Sequence, residues 1–210
     1  MRTVRYPSFP TAQRRRAALG ALLLGFGVAV SVGLPVRGAP LLTAGFLVLM
    51  AGAVARWQRY RRGERGEDGV ARALRRLDDR HLLLRNWIPE GGRSDVDLIL
   101  LGPHGALVIE AKNHLAPVRR RGDRWEIRTR RGWRRMRDPI AQLRRNAERV
   151  ARRLRMPVDA VLVYNDRADL QIGGTGVTVL RRRELRRYVR RLPDEGFDAD
   201  DLAQRLEPLD

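Results

Sequence analysis

The chain of 210 residues contains no cysteine and almost no lysine. Without cysteine there are no disulfide bonds, thiolate metal sites or cysteine nucleophiles, and a reducing compartment fits this absence. Lys112 is the single lysine, although Lys and Arg together number 43. Because Asp and Glu number only 24, the net charge is +19. A surplus of this size predicts a polyanionic partner, which is nucleic acid, anionic lipid or both.

Several familiar motifs are also missing. The chain has no G-x-x-x-x-G-K-[ST] loop, so a phosphate-binding loop for nucleotides is excluded. Its 3 histidines, His81, His104 and His114, do not have the spacing of a zinc site with cysteine. His104 is expected in a turn and His114 in a loop, and His114, two positions after Lys112, is also a candidate supporting residue.

Charged residues are absent from two N-terminal runs, residues 17–36 and residues 39–55. At ~1.5 Å per residue, the first run is long enough to cross a hydrocarbon core of about 30 Å. The second run is near the short limit, but Arg56 and Trp57 after it can anchor at the membrane interface. We therefore predict a two-helix transmembrane hairpin over residues 17–56. The alternatives are a cleaved signal peptide, whose apolar core is usually shorter, and a buried helix pair in a soluble protein.

Arginines flank this apolar segment on both sides, whereas the loop between the two runs holds Arg37 alone. The positive-inside rule then places both termini and the remaining domain in the cytoplasm, at a multi-pass cell membrane. Anionic lipid headgroups are an alternative reason for the same arginines. The predicted organisation is a basic tail (1–16), the hairpin (17–56), a juxtamembrane linker (57–62), a globular domain (63–192) and an acidic tail or helix (193–210).

Apolar periodicity and turn residues predict the elements of the globular domain. Helices are expected over 63–77, 138–155, 183–192 and 199–206. Strands are expected over 81–88, 95–101, 106–113, 118–121, 124–129, 158–164 and 177–180.

Residues 97–112 read D-L-I-L-L-G-P-H-G-A-L-V-I-E-A-K and predict a β-hairpin. Proline second and glycine fourth in Gly102-Pro103-His104-Gly105 suit a type I turn. With Pro103 and His104 at the tip, Asp97 lies opposite Glu110. Because side chains alternate along a strand, Lys112 shares the face of Glu110.

Two opposed carboxylates repel each other across a sheet, so their pairing needs an explanation. A hard divalent cation such as Mg²⁺ supplies one, because it binds carboxylate, water and phosphate oxygens. The alternative is a solvent-exposed hairpin end where both acids are hydrated. Lys112 adds to the first interpretation, since burial can move a lysine pKa and a lysine can position or deprotonate a water, whereas arginine stays protonated. The alternative is that this one lysine was retained by chance and has no specific role.

Residues beyond the hairpin complete a recognisable series. They are Gly66-Glu67 with Val70 and Leu74, then Asp97, Gly105, Glu110-Ala111-Lys112-Asn113, and Asp138-Pro139-Ile140 with Gln142. Over residues 62–180 this series resembles the NERD (nuclease-related) domain of the restriction-endonuclease-like PD-(D/E)xK superfamily. Asp95 and Leu98 depart from it, because NERD domains often carry Gln and His there. The resemblance implies an α/β fold with a central mixed sheet flanked by helices.

The same resemblance implies a hydrolase of phosphodiester bonds that depends on Mg²⁺ or Mn²⁺. Asp97, Glu110 and the Ala111 carbonyl would hold the metal, and Lys112 would position the attacking water or stabilise charge on the phosphate. Glu67 and Gln142 are implied as supporting site residues. Their alternatives are compensation of a helix dipole for Glu67 and a surface amide for Gln142.

Trp125 and Trp133 lie within an arginine-rich stretch, residues 119–137. Aromatic residues among arginines suit a groove that follows a nucleic-acid backbone. The alternative is a solvated arginine face with both tryptophans in the core. The expected function is a membrane-anchored nuclease that acts on DNA more than on RNA. The alternatives are a non-catalytic nucleic-acid-binding or membrane-tethering module with a degenerate nuclease fold, and a membrane-associated interaction protein.

Overall fold

The computed structural model describes residues 1–6, 18–20, 22–24, 27–28, 39–89 and 95–207, without the side chains of 39–42 and 59–62. The chain divides into two compact units, Met1–Tyr6 with Arg65–Asp210, and Pro7–Glu64.

The elements follow in chain order. The strands are β1 (Arg2–Arg5), β2 (Leu82–Trp87), β3 (Val96–Gly102), β4 (Gly105–Lys112), β5 (Val118–Arg121), β6 (Arg124–Thr129), β7 (Gly132–Arg135), β8 (Asp159–Tyr164), β9 (Leu170–Gln171) and β10 (Thr178–Arg181). The helices are α1 (Ala39–Leu74), α2 (Pro139–Leu154), α3 (Arg182–Val189) and α4 (Ala199–Leu206).

The unit Pro7–Glu64 is helical where it is described. Residues 18–20, 22–24 and 27–28 are helical, and Gly27 lies so close to the Phe46 ring that an added Cβ would be 2.8 Å from it. Within the described ranges, no helix is both long enough and apolar enough to cross a membrane. The predicted transmembrane hairpin therefore has no support from the structure, and its first run, residues 17–36, lies mostly outside the described residues.

A six-stranded sheet in the order β1-β2-β3-β4-β8-β10 is the centre of the other unit. Strand β3 is antiparallel to both of its neighbours, and the remaining pairs are parallel. Five strands therefore run in one direction. The carboxyl ends of β2, β4 and β8 meet the amino end of β3 at one edge of the sheet, which we call the carboxyl edge.

Helices cover the sheet on both faces, so the predicted α/β class with a flanked central sheet is confirmed. One face packs against α2 and α4 through residues such as Leu143, Val150 and Leu202. The other face packs against α3 and the end of α1 through residues such as Leu74 and Leu185. Because β2, β3 and β4 are buried on both faces, their nearly continuous apolar runs are what this architecture requires.

Turn and cap chemistry place the site-bearing elements as predicted. In the hairpin, Leu98 pairs with Ile109 and Leu101 with Ala106, which is the predicted register. Helix α2 begins where Asp138 accepts hydrogen bonds from the backbone N–H groups of Ile140 (2.8 Å) and Ala141 (3.2 Å).

Several features differ from expectation, among them the short strand β9 (Leu170–Gln171), which was not predicted. Residues 2–5 of the expected basic tail form strand β1, because backbone hydrogen bonds to β2 need no apolar side chains and leave no pattern in the sequence. Residues 57–62, the expected linker, are helical, and α1 includes them. Strand β7 was not predicted, since Gly132–Arg135 contains one apolar residue; it pairs with β6 in a second, four-stranded sheet, β7-β6-β5-β9.

Candidate active site

Asp97, Glu110 and Lys112 come together at the carboxyl edge. Asp97 lies at the start of β3, and Glu110 and Lys112 end β4. Continuing the hairpin register by one residue beyond Leu98 and Ile109 places Asp97 opposite Glu110. Alternation then puts all three side chains on the sheet face that α2 covers.

Lys112 lies at the centre of a short polar network. Its Nζ donates to Glu110 Oε1 at 2.5 Å and to Gln142 Oε1 at 3.3 Å. The second oxygen, Glu110 Oε2, accepts from Asn146 Nδ2 at 3.5 Å. Glu110 is 1% exposed. The structure therefore brings the predicted Gln142 into contact with Lys112, and Asn146, one turn further along α2, holds the buried acid.

Asp97 is not compensated in this way. Its side chain is half-buried, and within the described part of the chain it accepts no hydrogen bond. Burial raises the pKa of Asp97 well above its usual range, and the negative charges of Glu110 and Glu67 raise it further. Lys112 acts in the opposite direction but does not outweigh these effects. The carboxyl edge thus holds two facing acids, and Asp97 is the one whose ionised form is disfavoured by burial and by neighbouring negative charge.

Glu67 approaches the same edge from helix α1. Gly66 allows this approach, because a Cβ there would lie 3.0 Å from the Cβ of Asn113, the residue after β4. Glu67 is 8% exposed, and burial raises its pKa to about 7 even though Arg85 lies 3.7 Å away. Asp95 raises it too. Helix α1 begins at Ala39, so Glu67 lies in its interior and not in a first turn, and the alternative role of compensating a helix dipole is wrong.

Replacing Glu67 by glutamine tests this burial. A carboxyl whose pKa rises on folding stabilises the protein below its unfolded value of 4.5, and this stabilisation is lost as the pH rises through about 7. We expect Glu67→Gln to increase the free energy of unfolding by ~3 kcal/mol at pH 8 and by almost nothing at pH 4. Denaturant unfolding at both pH values measures the difference. The exposed Glu148→Gln is the control, and equal effects of both variants would contradict the assignment.

Sequence reasoning missed several members of this edge. Five buried side-chain atoms among the described residues have no hydrogen-bond partner. They are Arg85 Nε, Asn86 Nδ2, Asp95 Oδ2, Tyr164 OH and His104 Nε2. The first four belong to the carboxyl edge, and only His104 lies at the opposite end, in the hairpin turn. Buried polar atoms are nearly always paired in folded proteins, so this concentration indicates a place where a ligand or water completes the bonding.

Asn86 and Tyr164 are the most informative of these residues. Asn86 is 2% exposed and has a left-handed backbone (φ 57°), although it lies within β2. The β2–β3 register places it opposite Asp97. Tyr164 pairs with Lys112 across β4 and β8, and burial, followed by the charge of Glu110, raises its pKa. The polar pair Arg85-Asn86 within the otherwise apolar residues 82–88 was the available sequence signal.

Side chains alone do not form a complete metal site here. Within the described residues, no group of three or more His, Asp or Glu side chains is placed to hold a metal ion. Any cation at Asp97 and Glu110 would need backbone, water or phosphate oxygens for its remaining ligands.

The fold and the site define a mixed α/β domain with paired acids and one lysine at its carboxyl edge, where such sheets usually bind ligands. The family model of the NERD family, a nuclease-related domain, matches residues 62–165. The resemblance noted from the sequence is therefore confirmed for these residues, which are similar to a NERD domain. No curated protein and no solved structure shows a significant match to the chain.

Proposed function

We propose that this chain is a divalent-metal-dependent nuclease with a restriction-endonuclease-like core, which hydrolyses phosphodiester bonds of nucleic acid, DNA more than RNA. One observation carries the proposal. Asp97 faces Glu110 and accepts no hydrogen bond from any described residue, and both acids lie beside the only lysine of a chain with 43 basic residues.

The residues present fit a Mg²⁺ or Mn²⁺ ion. Both ions prefer oxygen ligands, and the edge offers the Asp97 and Glu110 carboxylates and the Ala111 carbonyl between Glu110 and Lys112. The raised pKa of Asp97 supports the fit, because a bound cation stabilises the ionised form that the protein alone disfavours. When bound, such an ion polarises a phosphate oxygen and lowers the pKa of a coordinated water.

The other polar side chains near the two acids have separate roles. Gln142 and Glu110 hold the Lys112 ammonium, which can orient an attacking water or stabilise negative charge on the phosphate. Asn146 keeps Glu110 in place from α2. Glu67, with a pKa of about 7, can accept or release a proton near neutral pH at the margin of the site.

A cleavage assay tests this function. The full chain in detergent is incubated with circular DNA, linear DNA and RNA, with Mg²⁺ or Mn²⁺ and then with excess chelator. We expect phosphodiester cleavage that needs the metal and stops with the chelator. Cleavage that continues in chelator, or no cleavage with any substrate or metal, would contradict the proposal.

One contact favours the second candidate, a non-catalytic module that binds nucleic acid through a degenerate nuclease fold. Lys112 Nζ lies 2.5 Å from Glu110 Oε1, and this ion pair already neutralises one of the two acids. The same assay separates the two functions, because the module binds the nucleic acid in chelator and never cuts it.

We also propose that the N-terminal region attaches the chain to the cell membrane, with both termini and the NERD domain in the cytoplasm. Support comes from the uncharged runs, residues 17–36 and 39–55, and from strongly exposed apolar side chains there, such as Leu22 (72% exposed) and Val48 (72% exposed). We expect the chain to stay in the membrane fraction through high-salt and alkaline washes and to be released by detergent. Release by salt alone would contradict the proposal.

A further inference from the structure

The four-stranded sheet has an inner and an outer face, and the register assigns each residue to one of them. Val118 pairs with Ile127, and Trp125 lies on the same side; all three join the hydrophobic core. Trp125 and Trp133 therefore lie on opposite faces of this sheet, and only Trp125 is a core residue. The opposite side, which we call the outer face, carries Arg119, Arg121, Arg124, Glu126, Arg128, Trp133 and Arg135.

The outer face carries an excess of positive charge. It holds five arginines and one acid, Glu126, which pairs with Arg119 at 2.7 Å. Arg121 and Arg124 lie directly opposite each other across β5 and β6, an arrangement that destabilises a sheet. Both are exposed, as are Arg128 and Arg135, and over the described residues none of the four has an ion-pair partner.

Trp133 contacts two of these arginines. The guanidinium of Arg119 lies 4.0 Å from the centre of the Trp133 ring, and that of Arg128 lies 5.6 Å from it. Cation–π contacts of this kind restrict long side chains that would otherwise be mobile. The tryptophan is half-buried beneath its arginines. Two of the five guanidinium groups on the outer face, those of Arg119 and Arg128, thus rest on an aromatic base.

We propose that the outer face is the docking surface for the sugar-phosphate backbone of the nucleic acid that the site cleaves. Guanidinium groups bind phosphate through two parallel hydrogen bonds, and contacts to phosphate position a strand without reading its sequence. Residues 113–117 alone connect β4, which ends at Lys112, to β5, so the surface flanks the carboxyl edge along the chain. That the bound nucleic acid is also the substrate rests on the proposed nuclease function. That the face binds a polyanion follows from its charge alone.

The binding experiment compares two variants of equal charge. One replaces Arg121, Arg124, Arg128 and Arg135 by glutamine, and the matched control replaces Arg152, Arg183, Arg187 and Arg191, which are exposed elsewhere in the described part of the chain. Anisotropy of a labelled 20-base-pair DNA is followed with the full chain in chelator at several salt concentrations. We expect the outer-face variant to bind at least about tenfold more weakly at 0.1 M salt, with a salt slope smaller by about 3–4. The control variant should stay within about threefold of the wild type.

Equal losses in both variants, or an unchanged affinity in the outer-face variant, would overturn the proposal, because binding would then follow total charge alone. The outer-face variant should unfold at the same temperature as the wild type or higher, since the Arg121–Arg124 repulsion is removed. A further arm uses vesicles of phosphatidylcholine with phosphatidylserine. If the variant loses vesicle binding and keeps DNA binding, the face serves lipid headgroups and the proposal is wrong.

The outcome of this binding experiment does not depend on the outcome of the cleavage assay. The binding experiment is carried out without metal, so it gives the same answer whether or not the chain cuts. A wild type that cuts, together with an outer-face variant of unchanged DNA affinity, removes the docking surface and leaves the nuclease function intact. A wild type that never cuts, together with a variant of weakened affinity, removes the nuclease function and leaves a polyanion-binding surface.

Discussion

Replacing Lys112 by methionine should lower the cleavage rate by about 10²–10⁴-fold, the range for loss of a positioned proton-transfer or charge-stabilising group. DNA affinity in chelator should stay within about twofold, because the docking arginines lie elsewhere. Lys112→Arg should lose nearly as much activity. It keeps the positive charge, but a planar guanidinium cannot occupy the point between Glu110 Oε1 and Gln142 Oε1 in the same way.

Lys112→Met should also lower the free energy of unfolding by about 3–5 kcal/mol, because it leaves the buried Glu110 without its cation. The double variant Lys112→Met with Glu110→Gln removes both charges and should recover most of the stability but none of the activity. Steady-state cleavage rates and thermal unfolding of the three proteins provide the readout. Cleavage by the methionine variant at the wild-type rate would show that Lys112 has only a structural role.

Asp97→Asn should change activity and stability in opposite directions. Cleavage should fall by at least about 10²-fold, because a ligand that stabilises charge in the reaction is lost. The folded state should gain about 0.5–1 kcal/mol from relief of the repulsion by Glu110 alone. The pKa of Asp97 is raised on folding, so the wild type loses stability as the pH rises above the ordinary value of 3.8. The advantage of the variant therefore grows with pH and disappears near pH 4.

Thermal unfolding between pH 4 and pH 9 measures this trend. The matched control is Asp159→Asn, an exposed acid at the start of β8, which should change neither the unfolding curve nor the cleavage rate. A variant that is less stable than the wild type at pH 8 would mean that Asp97 is held by favourable contacts, contrary to its environment in the structure.

The hairpin was predictable from sequence because its determinants are local. Turn residues 102–105 and alternation along two short strands fix which side chains face each other, and the predicted pairing of Leu101 with Ala106 is confirmed. That Gln142 lies near the site was expected only through the family resemblance, and its contact with Lys112 was not predicted. This contact depends on how α2 packs on the sheet, which no local pattern specifies.

Long-range pairing explains what was missed. Strand β1 joins β2 in parallel across about 80 residues of sequence, and its arginine-rich residues give no apolar signal. Asn86 acquires its place opposite Asp97 from the register between β2 and β3, and its positive φ cannot be read from residue type. The outer face could not be predicted from the sequence because it depends on the pairing of β7 with β6. That pairing places Trp133 on the face opposite to the core residue Trp125.

If Asp97 and Glu110 share one divalent cation, Mn²⁺ binding followed by electron paramagnetic resonance measures it directly. The wild-type chain should remove one Mn²⁺ per molecule from the free-ion signal, and Mg²⁺ should compete for the same place. Asp97→Asn should weaken this binding by at least about tenfold. Equal Mn²⁺ binding by the wild type and by Asp97→Asn, or no binding by either, would contradict the shared cation site.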